Sequence, residues 1–458
     1  MRRVLCPVET LYVGQRSRAV LSCALRGPVD AAALSRAFDT VTAEQPTLRT
    51  RIVQDGAGYA LELLEEAERP RLTVRTGGDE VYQQELNTPL PVGTPLTRAV
   101  LASEPGGDRH LLVVSVDHTV TDGHSAITLL NTLWDRYRAL VEDDDAAAAR
   151  AAVAAEVVTE ASATAPEQPA WPTPVSELLP PADEAETAAY LRRRLAETED
   201  RSVVLLPYDT PRETHAAAGN GDPTGTADEH RIEACRLLLD ADRTERLRKS
   251  ARAAGVSVHG LIGSALLTVV RRRLGGDGPR VLGCLSPVDL RSRLDPPVPA
   301  STMVAAVTTH LHAVEVDADT DPLELARELG THLREAIERG DHFQDMRIMT
   351  EVPKHPALQM GTVIVTNMGS VSGPRLPEGT ELTDVRLVPA REQYFPQAGR
   401  SPLMACVVSF DGRLAIEFPH YTACFSPAFM RELRDDVQAA LLAFTETGDE
   451  PHVTAAAV

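Results

Sequence analysis

The sequence predicts an α/β (α+β) protein built as two similar lobes, on three observations. The chain has 458 residues, more than one hydrophobic core usually organises, so two domains of roughly 200 residues each are the default. Apolar runs with strand character alternate with helical patterns in both halves. Between the halves, from Asp143 to Ala182, the composition turns rich in alanine and acid and then in proline, ending Ala170-Trp171-Pro172-Thr173-Pro174 and Leu179-Pro180-Pro181. Such a stretch reads as a surface crossing with a helix in its alanine-rich part. The expected domains are residues 1–182 and 183–458.

In the first half, Arg18 to Leu25 reads as a strand, and Gly27-Pro28-Val29-Asp30 supplies a turn and a helix cap. Leu34, Phe38 and Val41 then recur at helical spacing. A strand pair is expected around Arg49 to Gln54 and Tyr59 to Leu64, and a hairpin from Thr97–Ser103 and His110–Val116. Past the crossing, Tyr190 to Glu197 is a charged helix and Thr214 to Asp228 a loop. The second half repeats the alternation: strand Ile232–Leu239, helix Asp242–Ala254, and a helix capped by Ser257 and running to Arg272. A buried strand Arg280–Leu285 enters Pro287-Val288-Asp289-Leu290-Arg291. Then come strand Val304–Val316, helix Pro322–Arg339 and strand Gly361–Asn367. A hairpin, Ala405–Phe410 and Leu414–Phe418 turned by Asp411-Gly412, leads to a helix capped at Ser426.

Composition excludes several classes. Apolar residues make up 43% of the chain, no apolar run approaches a membrane span, and Met1-Arg2-Arg3-Val4-Leu5-Cys6-Pro7 lacks the apolar core of a secretion signal. A cytoplasmic protein is expected. The six cysteines contain no Cys-x-x-Cys pair and are expected to be reduced, buried small residues. A net charge of -20 makes nucleic acid and anionic membranes poor partners. Arg192-Arg193-Arg194 and Arg271-Arg272-Arg273 read as solvated helix faces with ordinary ion pairs, the alternative being docking sites for an acidic partner or a phosphate.

The chemistry concentrates where the run Leu111–Val116 ends in Asp117-His118-Thr119-Val120-Thr121-Asp122-Gly123. A neutral imidazole held near a hydroxyl or amine is the side chain best suited to taking its proton near neutral pH. Asp122 can cap the following helical stretch, Ser125 to Leu130, or pair with an arginine from elsewhere. Gly123 permits a tight turn. The sequence contains no Gly-x-Ser-x-Gly elbow, phosphate loop or dinucleotide fingerprint, so His118 would act directly, without a covalent intermediate. Neighbours on an extended strand point to opposite faces, which turns Asp117 away from the reacting atoms. If the chain turns there instead, its carboxylate can orient His118 or shift its basicity. His118, Asp122 and His124, or His310 and His312 on one strand face, lack the usual metal-ligand spacing, and no metal is expected.

DHTVTDG resembles the HHxxxDG signature of the condensation-domain and chloramphenicol acetyltransferase-like superfamily. Further segments match in order: EQPTLRT (Glu44–Thr50), SPVDLRSRLDPPVPAS (Ser286–Ser301) and VIVTNMGSV (Val363–Val371). The last two are similar to the polyketide-associated acyltransferase branch, of phthiocerol dimycocerosyl transferase type. The resemblance implies two acetyltransferase-like sandwich domains in a V, with the active-site channel between them. It implies that His118 is the general base and that Asp122, Gly123 and Arg291 brace the site across the channel. Asn367, in the matching strand, could offer an amide donor to substrate or oxyanion or could simply pair strand edges, and Asp117 is the other candidate for such a contact. Asp117 replaces the first motif histidine, and Thr302 with its surroundings replaces an asparagine. The implied donor is an acyl-phosphopantetheine thioester on an acyl or peptidyl carrier protein or on coenzyme A, with no bound cofactor. The acceptor is a small-molecule alcohol giving an ester, or an amine as in a free-standing amide-forming condensation enzyme. A noncatalytic recruitment module is the remaining alternative, and a monomer is expected because one chain supplies both halves of the site.

Overall fold

The computed structural model describes residues 1–151, 171–210, 231–391 and 399–446. In chain order the elements used below are β1 (Arg2–Val4), α1 (Pro7–Gln15), β2 (Ser17–Arg26), α2 (Ala31–Glu44), β3 (Thr50–Asp55), β4 (Gly58–Leu63), β5 (Leu72–Thr76), α3 (Asp79–Asn87), β6 (Thr97–Ser103), β7 (Arg109–Asp117) and α4 (Gly123–Ala151). They continue with α5 (Glu184–Asp200), β8 (Leu206–Pro207), β9 (Ile232–Leu239), α6 (Ala241–Ala253), α7 (Val258–Arg273), β10 (Arg280–Asp289), β11 (Val307–Val316), α8 (Pro322–Glu338) and α9 (Asp341–Arg347). The last are β12 (Val363–Ser370), β13 (Glu381–Arg391), β14 (Arg400–Ser401), β15 (Leu403–Phe410), β16 (Arg413–Tyr421) and α10 (Pro427–Glu446).

Contacts divide the chain into two compact units. The first holds Met1–Leu179 with two later segments, Arg291–Ala306 and Ser372–Gln393; the second holds Pro180–Leu290, Val307–Val371 and Tyr394–Val458. Both later segments of the first unit lie far beyond the 182/183 boundary suggested by the crossing. Residues 152–170 of that crossing and the expected loop Thr214–Asp228 fall outside the described residues.

The first unit is built on a mixed sheet of order β13-β2-β7-β6-β5, in which only the β5–β6 pair is parallel. A small antiparallel sheet, β1-β4-β3, accompanies it. Strand β7 lies inside the large sheet and is buried along all but its first residue, which is why its sequence is a continuous apolar run instead of an alternating one. Helix α2 starts where Asp30 Oδ1 accepts the amides of Ala32 and Ala33, a cap supplying two of the orphan donors of a helix start. Helix α4 buries Trp134 completely, edge-on to Tyr137 at 5.2 Å. The Tyr137 hydroxyl accepts the Asp30 amide, tying α4 to the entry of α2.

The second unit carries the sheet β11-β10-β12-β15-β16-β9, with β10–β12 and β12–β15 parallel and the remaining pairs antiparallel. Helix α7 is its core helix: Leu261, Ile262, Leu266, Leu267 and Val270 are all buried. Gly260 permits close approach to α8, since a Cβ there would lie 2.5 Å from the Ala326 carbonyl oxygen. The β15–β16 turn places Asp411 and Gly412 at positive φ, 49° and 73°, the backbone that a two-residue Asp-Gly hairpin turn requires.

Four expectations need correction. Strand β11 begins at Val307 rather than Val304, because the preceding segment belongs to the first unit and spends its backbone there. Arg194 and Arg271 are buried rather than solvated: Arg194 donates to the Leu311 carbonyl, and Arg271 to the carbonyls of Gly276 and Gly278. Burying a guanidinium is tolerable only when its donors are satisfied in this way. Cys6 and Cys235 are only partly buried, whereas the other four cysteines are buried. Gly123 is the first residue of α4 and not a turn residue.

Among the described residues no single helix is long and apolar enough to cross a membrane.

Candidate active site

The site is built at the C-terminal end of β7. Asp117 closes the strand, its amide bonded to the Leu96 carbonyl at 2.9 Å, and the His118 amide extends the ladder to the Ser17 carbonyl at 2.8 Å. The chain then turns. Asp117 Oδ1 accepts the Thr119 amide at 2.8 Å, and the Val120 amide bonds back to the Asp117 carbonyl. Of the two placements open to Asp117, its carboxylate thus takes the turn, bonded to the backbone one residue beyond His118.

Asp122 does both jobs open to it. Its Oδ1 accepts the Ser125 amide at 2.8 Å, while Ser125 Oγ accepts the Asp122 amide at 3.0 Å, a reciprocal cap on the start of α4. Its Oδ2 accepts Arg291 Nη2 at 2.8 Å, Arg291 Nε at 3.1 Å and the Ala306 amide at 2.9 Å. Arg291 also donates to the carbonyls of Pro299, Thr302 and Val304. Both side chains are about 95% buried, so the pair survives burial because every strong donor and acceptor on it is used. All these residues belong to the first unit. Thr302 enters the site through its carbonyl, whatever its side chain.

The His118 ring stacks on Tyr12, 5.1 Å between centroids and 2° from parallel. His118 retains partial exposure, but its dense surroundings lower its pKa from the ordinary value. Burial is the main cause and the charge of Arg391 works the same way, while the backbone at His118 and Thr121 and the Asp122 charge oppose it. Burial and the Asp122 charge push Tyr12 up to about 12. A neutral imidazole beside a neutral phenol is the state suited to accepting a proton.

No local sequence signal marks Tyr12 or Arg391 as part of the site. Tyr12 sits on α1, whose start is a capping box of Cys6 and Glu9 with Pro7 at the first turn; a cysteine in place of Ser or Thr hides that signal. Arg391 ends β13, which pairs with β2 across hundreds of residues, Arg391 opposite Ser17. Asn367 lies in the second unit, on β12, where its Oδ1 accepts the Gly369 amide at 2.8 Å beside a register irregularity.

Two other features are distinct from this site. A surface cleft of about 670 Å³ in the first unit, walled by Arg26, Asp79, Glu104, Arg109 and Arg386, lies at the opposite end of β7. In the second unit, His310 Nδ1 meets Asp345 Oδ2 at 2.8 Å, His312 Nε2 meets Glu328 Oε1 at 3.0 Å, and His332 stacks on His312 at 3.7 Å. Among the described residues no group of three or more His, Cys, Asp or Glu is arranged to hold a metal.

Residues 228–419 match the family model for the phthiocerol/phthiodiolone dimycocerosyl transferase C-terminus. The phthiocerol/phthiodiolone dimycocerosyl transferase of Mycobacterium bovis (strain BCG / Pasteur 1173P2) is 24% identical over 425 residues, 91% of either chain. Polyketide synthase associated protein 5 from Mycobacterium tuberculosis superposes with a TM-score of 0.68 at 18% identity, over 97% of this chain and 98% of that one. The first condensation domain of the CDA synthetase gives 0.64 at 17% identity, over 97% and 96%. The chain is thus similar in sequence to the phthiocerol/phthiodiolone dimycocerosyl transferases, and it shares the fold of the solved condensation domain and of polyketide synthase associated protein 5.

Proposed function

We propose that this chain moves an acyl group from a phosphopantetheine thioester, on a carrier protein or coenzyme A, to a hydroxyl acceptor in secondary metabolism, forming an ester. The observation that carries the reading is the His118 ring, stacked on Tyr12 and presented on a loop braced by the Asp122–Arg291 pair. In this reaction His118 takes the hydroxyl proton as the oxygen attacks the thioester carbonyl. The tetrahedral intermediate collapses with cleavage of the carbon–sulfur bond, and the imidazolium returns its proton to the departing thiolate. The intermediate needs a hydrogen-bond donor for its oxyanion, a contact whose loss typically costs roughly 3 to 4 kcal/mol of barrier. No cofactor is required. His118, Asp122 and Arg291 come from one chain, which supports action as a monomer, and thioesters of this kind support a cytoplasmic setting.

Intact-mass monitoring of acyl-loaded carrier proteins and acyl-CoA, with a panel of alcohols and amines, tests the proposal. Acyl loss with ester formation is the expected result. Amide formation alone would replace the acceptor class, and acyl retention with every acceptor would favour a recruitment module.

A further inference from the structure

Arg18 is 2% exposed and Asp117 6% exposed, and they stand directly opposite each other where β2 pairs with β7. Because the His118 amide bonds to the Ser17 carbonyl, the Ser17/His118 position is a hydrogen-bonded one. The next position, Arg18/Asp117, is then non-hydrogen-bonded, the kind whose Cα atoms sit about 4.5 Å apart with side chains on the same face. A buried carboxylate and a buried guanidinium at that spacing are each costly alone and compensated together. Both are also tied to backbone. Arg18 Nη2 donates to the Leu86 carbonyl at 2.7 Å, in the last turn of α3, where a cation complements the helix dipole. Asp117 Oδ1 holds the Thr119 amide.

We propose that Arg18 and Asp117 form a second acid–base brace of the His118 turn, separate from Asp122–Arg291, and that both are positioning residues for His118. The chain of contacts runs from the end of α3 through Arg18 and Asp117 to the Thr119 amide, so it fixes the turn on the residue just before and the residue just after His118. Asp122 and Arg291 secure the far end of the same loop at the start of α4. His118 is thereby held from two sides by pairs that share no residue. The inference rests on the reading of His118 as the base.

The test uses the full chain with the acyl-CoA and alcohol pair that gives product, and compares Arg18→Met, Asp117→Asn, the double variant and His118→Ala. Each single variant is expected to lower kcat about 10-fold per folded molecule, with KM and the midpoint of the acid limb unchanged. The double variant should lose no more than either single one, because the first substitution already breaks the brace. Losses that multiply in the double variant, or single variants with wild-type kcat, would overturn the brace. Should a single variant fold poorly, the coupling is read instead from the urea midpoints of the wild type, the two single variants and the double variant, where additive losses overturn it equally. His118→Ala separates the two readings: if it keeps wild-type rate, the base assignment fails, whatever the other variants do.

Discussion

At the scale of single residues, Asp122 is the most heavily used side chain of the loop, accepting from Ser125, Arg291 and Ala306 at once. Truncating it leaves the Arg291 guanidinium buried without its counter-charge, a change that costs about 3 to 5 kcal/mol. Asp122→Ala is therefore expected to lower the urea midpoint strongly as well as the rate. A variant with wild-type stability would show that the pair contributes no net stabilisation. This pairing was legible in part: DHTVTDG marked Asp122 as a cap or an ion-pair partner, and only the resemblance pointed to Arg291. What the residue types could not show is that one carboxylate does both, since its two oxygens face different elements.

At the scale of elements, β7 and α4 position the histidine, the first as a buried central strand and the second as a helix clamped by its own core face. Trp134 is the centre of that clamp. Trp134→Ala removes the largest fully buried side chain on α4 and should cost about 3 to 5 kcal/mol through lost contacts and the cavity left behind. Calorimetry showing an unshifted melting temperature would refute this account of the α4 anchor. Elements with strong local signals were readable: the Asp30 cap, the Ser257 cap and the Asp-Gly hairpin at 411–412 all form. The elements missed were those without such a signal. Helix α1 starts at a cysteine, and the place of β13 beside β2 is decided by a partner hundreds of residues away, which no local pattern records.

At the scale of the molecule, histidines away from the site set the response to acid. Burial lowers the pKa of His259 to about 4, of His312 to about 4 and of His332 to about 3, with the neighbouring imidazoles adding to the shift in the last two. Their folded values lie below the unfolded value near 6.5, so the unfolded chain binds more protons between about pH 6.5 and 4. Stability is complete above that window and falls as pH drops through it. Chemical denaturation at pH 7.5, 6 and 5 should show the midpoint declining, and His312→Gln with His332→Gln should flatten the decline. A midpoint independent of pH across that range would mean these rings titrate normally. The two-unit organisation was foreseen from chain length and the alanine- and proline-rich crossing. The return of 291–306 and 372–393 to the first unit was not, because composition carries no record of which core a later segment joins.

The central claim is that His118 accepts a proton as an unprotonated base. It is tested most directly by the pH dependence of kcat/KM for thioester-to-alcohol transfer in the wild type and in His118→Ala. The wild type should lose activity toward acid with a midpoint below 6.5, following the lowered pKa of the ring. The variant, with its folding verified, should fall about 100- to 10,000-fold and lose the acid limb. A His118→Ala protein that transfers acyl groups at the wild-type rate with the same acid limb would contradict the account.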